Sequence, residues 1–548
     1  MDLINSKKDP VYKAISALVF SHIRNILCTW IMLHKDNTTT NNEPHSQEID
    51  LSCFKFFLEG ASNAFKNDDL GWEIALIAFP ALVALTADPL ASMVDTYFIG
   101  QLGSVELAAV GVSIAIFNLV SKLMNIPLLN LTTSLVAEED ATDSGTISEI
   151  ELETGKLGSL LEESQTLIVA NKGSGENDGI QVTNTMARSN AQPKPLPAAS
   201  TALVLGFVLG FFELFLLTIG SGKILDVMGV TEISNMRAPA KQYLEFRAIG
   251  SPAVVLSLVA QGIFRGFKDT QTPLFATTLG NVVNMILVPI LMFKYGYGVG
   301  GSAIATVTSQ YLITLILLMK LRKKVVLFPP KLIGLHFGLF IRNGGLLLAR
   351  SAAVMLSLTF ATSLIARLGA FPMAAHQICM QVWLATSLLS DAIALAGQAI
   401  IASALGKGNY QLAKDAAFRT LQIGFALGLI LSALLGIALG AFTKLFTNNT
   451  TVQKFLAIGT PFVAASQPFN SLAFVFDGLH FGASDYSYAA YSMITAAVFT
   501  SGFMLIVSRL WGFLGIWIGL LLLMALRMVI GFLRVGTASG PWKFLKTF

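Results

Sequence analysis

The chain has 548 residues, 54% hydrophobic and 13% charged, with a mean hydropathy of +0.65 and a net charge of only +4. Apolar stretches of about 20 residues recur from Trp72 to the C-terminus, the mark of bilayer spans, and the thinly spread charge, with no basic patch interleaved with aromatics, argues against nucleic acid as a partner. Three cysteines, Cys28, Cys53 and Cys379, show neither paired nor metal-ligand spacing, so neither a disulfide nor a metal is expected.

Residues 1–70 contain the run VYKAISALVFSHIRNILCTWIML, broken by histidine, arginine and lysine, and then the polar stretch HKDNTTTNNEPHSQEID. Without the charge, apolar core and cleavage-site order of a signal peptide, they read as a cytosolic tail, disordered or interfacial; an organelle-targeting piece is the alternative. Twelve spans follow, at 72–99, 105–136, 199–227, 240–263, 272–294, 299–319, 338–366, 371–403, 415–442, 452–479, 486–508 and 513–535. The expected organisation is N-lobe helices one and two at 71–137, an acidic disordered loop at 138–198, N-lobe helices three to six at 199–320, a basic inter-lobe linker at 321–337, C-lobe helices seven to twelve at 338–535 and a C-terminus at 536–548. Lys320, Arg322, Lys323, Lys324, Lys407, Lys414, Lys543 and Lys546 gather on one side of this topology, which places both termini in the cytosol.

FIGQLGSVELAA at Phe98–Ala109 aligns with LIARLGAFPMAA at Leu364–Ala375, an offset of 266. RGFKD at Arg265–Asp269 aligns with FGASD at Phe481–Asp485, an offset of 216, the difference being the long loop in the first half. The predicted fold class is therefore an all-α membrane protein of twelve transmembrane helices in two pseudo-symmetric six-helix lobes. Parallel repeats of this kind rock about a central cavity.

Charged side chains inside the spans are the candidate site, because each costs at least about 2.5–3.5 kcal/mol at mid-bilayer. Asp88 and Asp95 lie seven residues apart, close to two helical turns, and so share a face of the first span; Pro89 favours a kink there. Lys122 in span two and Arg350 in span seven are too deep to reach either surface, and one buried cation from each lobe suits a polycarboxylate. The alternative is that Lys122 neutralises Asp88 or Asp95, and Arg350 neutralises Asp391. Gln377, Gln381 and Asp391 fall roughly on one face of span eight, as a wet cavity wall would need, with Gln398 further along; interhelical hydrogen bonding is the other reading. Asn281 and Asn284 in span five, and Asn470 and Asp477 in span ten, are further candidates. Arg247 and Arg527 read as interfacial anchors, and Glu213 has no evident partner. No H-E-x-x-H, glycine-flanked serine or phosphate loop supports catalysis, so no enzyme activity or cofactor is expected.

The segments VDTYFIGQLGSVELAAVG, FRGFKDTQTPLFAT, ARLGAFPMAAHQICMQVWLATSLLSDAIALAGQ and VFDGLHFGASDYSYAA resemble the multidrug and toxic compound extrusion (MATE) family, specifically its plant branch of citrate exporters. The resemblance covers about residues 50–548. It implies ion-driven or voltage-driven export of citrate, for iron homeostasis or aluminium tolerance, by a monomer in the plasma membrane or, less readily, the plastid envelope. It also implies substrate contacts for Lys122, Arg350, Gln377, Gln381, Gln398 and Asn284, and proton or cation coupling through Asp95, Asp88, Asp391 and Asp477. The alternative within transport is a proton-coupled exporter of organic cations or neutral secondary metabolites. Relatives commonly carry an aspartate where this chain reads Val288, and acidic residues that align here with Ser357 and Asn470, so the usual proton pairs are incomplete.

Overall fold

The computed structural model describes residues 68–169, 194–228, 230, 232–327, 336–446 and 449–547. Nearly all of the expected N-terminal tail, residues 170–193 of the expected loop and 328–335 of the expected linker fall outside them. The helices are α1 (Asp69–Gly100), α2 (Ser104–Val169), α3 (Pro197–Val227), α4 (Arg237–Ala248), α5 (Ser251–Gly266), α6 (Gln271–Pro289), α7 (Gly298–Leu321), α8 (Phe337–Ala366), α9 (Ala370–Gly406), α10 (Tyr410–Phe446), α11 (Thr450–Gly482) and α12 (Tyr486–Gly536).

Among the described residues nine helices are long and apolar enough to cross a bilayer, and α4 and α5 together make a tenth span, bent by 47°. The 51 residues of α12 hold two arms joined at Gly512, whose φ of 55° and ψ of −125° only glycine adopts readily, and the 33-residue α11 completes twelve. Proline starts α3 and α5, where its fixed φ and missing donor cost nothing. α1 is helical throughout, with Pro80 and Pro89 inside it.

Helices α1–α7 pack among themselves as one lobe and α8–α12 as the other, meeting chiefly where α2 touches α8 and α9 and where α1 touches α9. Large apolar side chains such as Phe79, Phe212, Ile219 and Ile437 cover the outside, a surface too extensive to face water. The repeat is visible in the closest contacts. Gly262 and Gly266 of α5 lie against the carbonyls of Leu129 and Thr133 on α2, while Gly478 and Gly482 of α11, 216 residues later, lie against those of Ala394 and Gln398 on α9. A methyl group at Gly478 would overlap the Ala394 carbonyl oxygen, which as backbone cannot swing aside. Gly478→Ala is therefore expected to destabilise the C-lobe by about 1–3 kcal/mol, read as a lower melting temperature in detergent; unchanged melting would contradict this packing.

The acidic loop expected from Glu138 is a correction in part: α2 continues as helix to Val169. Its first turns are structural. Ala141 is buried, Glu139 accepts the Ala198 amide at 2.9 Å, Asp140 pairs with Lys194, and Gly406 packs on the Glu138 carbonyl. Acidic composition misled here because these carboxylates have specific donors on the start of α3.

Candidate functional site

The two lobes close at one end and part at the other. On α9 every residue from Ala392 to Ala404 is buried, and on α2 the run Leu128–Ser134 is almost wholly so. At this closed end Gln398 Nε2 donates to the Asn130 carbonyl and to Ser134 Oγ, both at 2.8 Å, and Thr142 donates to the Gly406 carbonyl at 3.2 Å. Arg419 pairs with Asp68 at 3.0 Å between the same lobes. Both described ends of the chain lie here, with Lys268, Lys324 and Lys407.

Toward the other end each of these helices bares a strip of small and polar residues. On α2 it is Ala108, Gly111, Ala115, Asn118 and Lys122; on α9 it is Ala374, Gln377, Gln381 and Ala385. The spacing of three and four residues keeps each strip on one face, and the 266-residue repeat superposes them. Lys122, Gln377 and Gln381 thus lie on the exposed strips that border the cleft. Lys122 forms no ion pair among the described residues. Gln398 does not face the cleft: it is 2% exposed and committed to holding α2 on α9.

In the N-lobe, Asn284 of α6 donates to both carboxylate oxygens of Asp95, at 2.8 and 3.0 Å, and Asn281 donates to Asp88 at 3.0 Å. Each aspartate of α1 has its own asparagine one turn away from the other's. The charge beside them is Arg247, not Lys122. Its guanidinium lies 4.2 Å from the Phe117 ring centroid and interacts with Asp88, Asp95 and Tyr243. Arg247 is thus no interfacial anchor, because the bend after α4 sets it in the middle of a span. Val288 is buried in a cluster with Ile99, Val110 and Tyr243, so no carboxylate stands opposite Asp95 at that position.

The C-lobe holds a cluster of opposite sign. Arg350 of α8 and Arg527 of the second arm of α12 both pair with one oxygen of Asp477 on α11. Arg350 pairs directly with Asp477 and meets Asp391 only at longer range, and Arg527 is the second member of a clamp rather than an anchor. The aromatic faces of Phe481 and Phe474 lie 5.1 and 5.5 Å from the two guanidinium carbons, favourable cation–π geometry. Asp391 interacts instead with Arg265, a buried arginine of the other lobe, and with Arg350 and Asp477. Three arginines therefore face two aspartates. A cavity of about 20 Å³ lies against Arg350, Asp477, His480 and Arg527, room for about one water. Asn470 and Ser357 contribute no acid: Asn470 donates to Ser387 Oγ at 2.8 Å and Ser357 to the Ala353 carbonyl at 2.9 Å. Among the described residues no group of histidine, cysteine or carboxylates could hold a metal ion.

Two repeated lobes, a cleft between them and a closed crossing at one end define a secondary transporter of the alternating-access type. The MatE family model matches residues 194–290 and 347–506. Protein DETOXIFICATION 42 of Arabidopsis thaliana is 48% identical over 498 residues, covering 90% of this chain and 96% of that protein. Protein DETOXIFICATION 44, chloroplastic, from the same plant is 47% identical, covering 87% of this chain and 84% of that protein. The solved structure described as MATE in the bent conformation shares the fold, with a TM-score of 0.72 at 18% identity over 89% of this chain and 98% of its own. The chain belongs to the MATE family of multi-pass membrane transporters.

Proposed function

We propose that this protein exports citrate or a related organic anion, driven by the membrane potential and by proton antiport. The observation that carries the reading is the arginine-rich cluster at the C-lobe, where Arg350 and Arg527 share one oxygen of Asp477 and Arg265 of the other lobe faces Asp391. The two guanidinium groups hold the Asp477 carboxylate much as they would hold a substrate carboxylate. Lys122 stands in the cleft as a further cation, and Gln377 and Gln381 supply hydrogen bonds on the facing wall. The clamp has room only for water in this conformation, so a tricarboxylate enters when the lobe opens.

The concentration of Lys and Arg at the closed end makes that end cytosolic, so the cleft opens outward. Citrate is largely trianionic at neutral pH, and each charge leaving an inside-negative cell gains about 2.3 kcal/mol per 100 mV. Export is therefore electrically downhill, which suits a chain whose usual carboxylate pairs are incomplete. An organic cation is the poorer substrate, since buried like charges repel strongly. The membrane is proposed to be the plasma membrane. One relative carries the word chloroplastic in its name, and the location of a C-terminally tagged full-length chain distinguishes the two.

The test is efflux of preloaded labelled citrate, with membrane current, from oocytes expressing the full chain. Citrate-dependent inward current is expected, steeper with hyperpolarisation. No efflux despite surface expression would overturn the substrate assignment.

A further inference from the structure

We propose that Glu213 is a proton-binding group of the N-lobe, loaded in the outward-open state seen here and unloaded when α2 turns against α3; the direction of coupling, though not the site, rests on the export reading above.

Glu213 lies in the middle of α3 and is 0% exposed, although its neighbours Phe212 and Phe215 face the lipid. One oxygen, Oε2, accepts from Ser121 Oγ of α2 at 3.2 Å. The other, Oε1, has no partner. Asn125, one turn further along α2, reaches toward the carboxyl at the edge of hydrogen-bonding range, and neither its amide nitrogen nor its carbonyl oxygen makes a well-formed hydrogen bond. The rest of this part of the lobe is the apolar cluster of Phe117, Leu217, Leu244 and their neighbours.

No charge answers Glu213 from any helix packed against it. On α2, Lys122 points into the cleft. On α4, Arg237 pairs with Asp226 at the end of α3, while Lys241 pairs with Glu245, which accepts from Ser221 two turns further along α3. Arg247 and Tyr243 of α4 interact with each other and with Asp95. On α5, Arg265 faces Asp391; on α8, Arg350 is committed to Asp477 and Arg342 is exposed. An ionised carboxylate with no cation beside it and only the Ser121 hydroxyl and the marginal Asn125 amide as donors is disfavoured in such surroundings.

The unpaired atoms are the ones a proton would join. A hydrogen on Oε1 becomes a donor, and the orphaned carbonyl of Asn125 is an acceptor for it, so one proton converts two unsatisfied oxygens into a hydrogen bond. The route out is written on the same helix. Ser121 and Lys122 are adjacent and so about 100° apart around α2. A rotation of α2 that carries Lys122 out of the cleft brings an ammonium toward Glu213. The O–H bond then breaks, the proton leaves to water on the side that has opened, and the carboxylate is held by Lys122. Proton release is thereby tied to the passage from the outward-open to the inward-open form, and proton entry to the outward-open form from which the anion leaves.

The experiment is infrared spectroscopy of the purified full-length protein in lipid nanodiscs, in the carboxylic-acid C=O region at neutral pH, alongside citrate efflux at acidic and neutral external pH. A band present in the wild type and lost in Glu213→Gln is expected, and an unchanged spectrum overturns the site. Asn125→Leu leaves Glu213 in place and should move the band to higher frequency by removing its acceptor; an unmoved band overturns the geometry even if Glu213→Gln fails to fold. Efflux by Glu213→Gln that has lost its dependence on external pH supports the coupling, and wild-type pH dependence in that variant overturns it. If the wild type exports no citrate but carries the band, the substrate assignment fails and the site stands.

Discussion

Arg527→Ala is expected to leave the protein folded and at the membrane while reducing apparent citrate affinity by roughly tenfold to a hundredfold, the worth of one charge-assisted hydrogen bond of about 1.5–3 kcal/mol. Asp477 keeps Arg350 as its partner in this variant, so no carboxylate is stranded and the cluster loses one of its three arginines. Asp477→Ala should behave in the opposite way. It leaves Arg350 and Arg527 facing one another without their shared carboxylate, and removal of one partner from a buried ion network costs about 3–5 kcal/mol. The first variant is read by efflux against external and internal citrate, the second by melting temperature in detergent. Equal melting of the two would show that the clamp is not the arrangement described, and undiminished citrate affinity in Arg527→Ala would remove Arg527 from the substrate site.

Gln398→Leu is expected to shift the balance of outward-open and inward-open forms toward the latter by roughly 30-fold. Two hydrogen bonds across the lobe junction are lost, to the Asn130 carbonyl and to Ser134, and at about 1 kcal/mol each they amount to about 2 kcal/mol of the closed end's stability. A cysteine placed at the cleft position Gln381 reports the change. Its labelling by a membrane-impermeant thiol reagent from outside should slow in the Gln398→Leu background, and an unchanged rate would mean that this contact does not hold the closed end. Native Cys379 is buried and contributes little background.

Much of the architecture was legible because it is carried by features the chain repeats locally. Apolar length marked the spans, and Leu-Gly followed by Ala-Ala at an offset of 266 marked the duplication. The asparagines of α6 were recognisable as polar residues in a span, and their three-residue spacing places Asn281 and Asn284 one turn apart, opposite Asp88 and Asp95. What could not be read is which charge meets which. Arg247 and Arg527 looked like anchors because distance from a span end was the only available measure of depth. The bend between α4 and α5 and the two-armed form of α12 decide their burial; Pro252 and Gly512 stand at these breaks, but neither residue says by itself that the two arms stay buried. Arg350 was correctly placed as buried and in need of a carboxylate, but its partner lies on α11 rather than α9, a choice made by the packing of three helices. Glu213 was anomalous in the sequence for the same reason that it is informative in the structure: its partners belong to another helix. Glu138–Asp143 show the converse error, where composition suggested solvent and tertiary contacts provided donors.

The paired glycine contacts carry a consequence for how the two halves have diverged. Gly262 and Gly266 in one lobe, and Gly478 and Gly482 in the other, occupy the same places in a common chassis. Backbone pressed on backbone is indifferent to the chemistry of the side chains around it. One copy could therefore set two aspartates against two asparagines while the other set two arginines on one aspartate, and neither had to renegotiate its mechanical fit with the helix it carries. Duplication of such a chassis supplies one mechanical frame twice, and each copy can carry its own set of polar side chains.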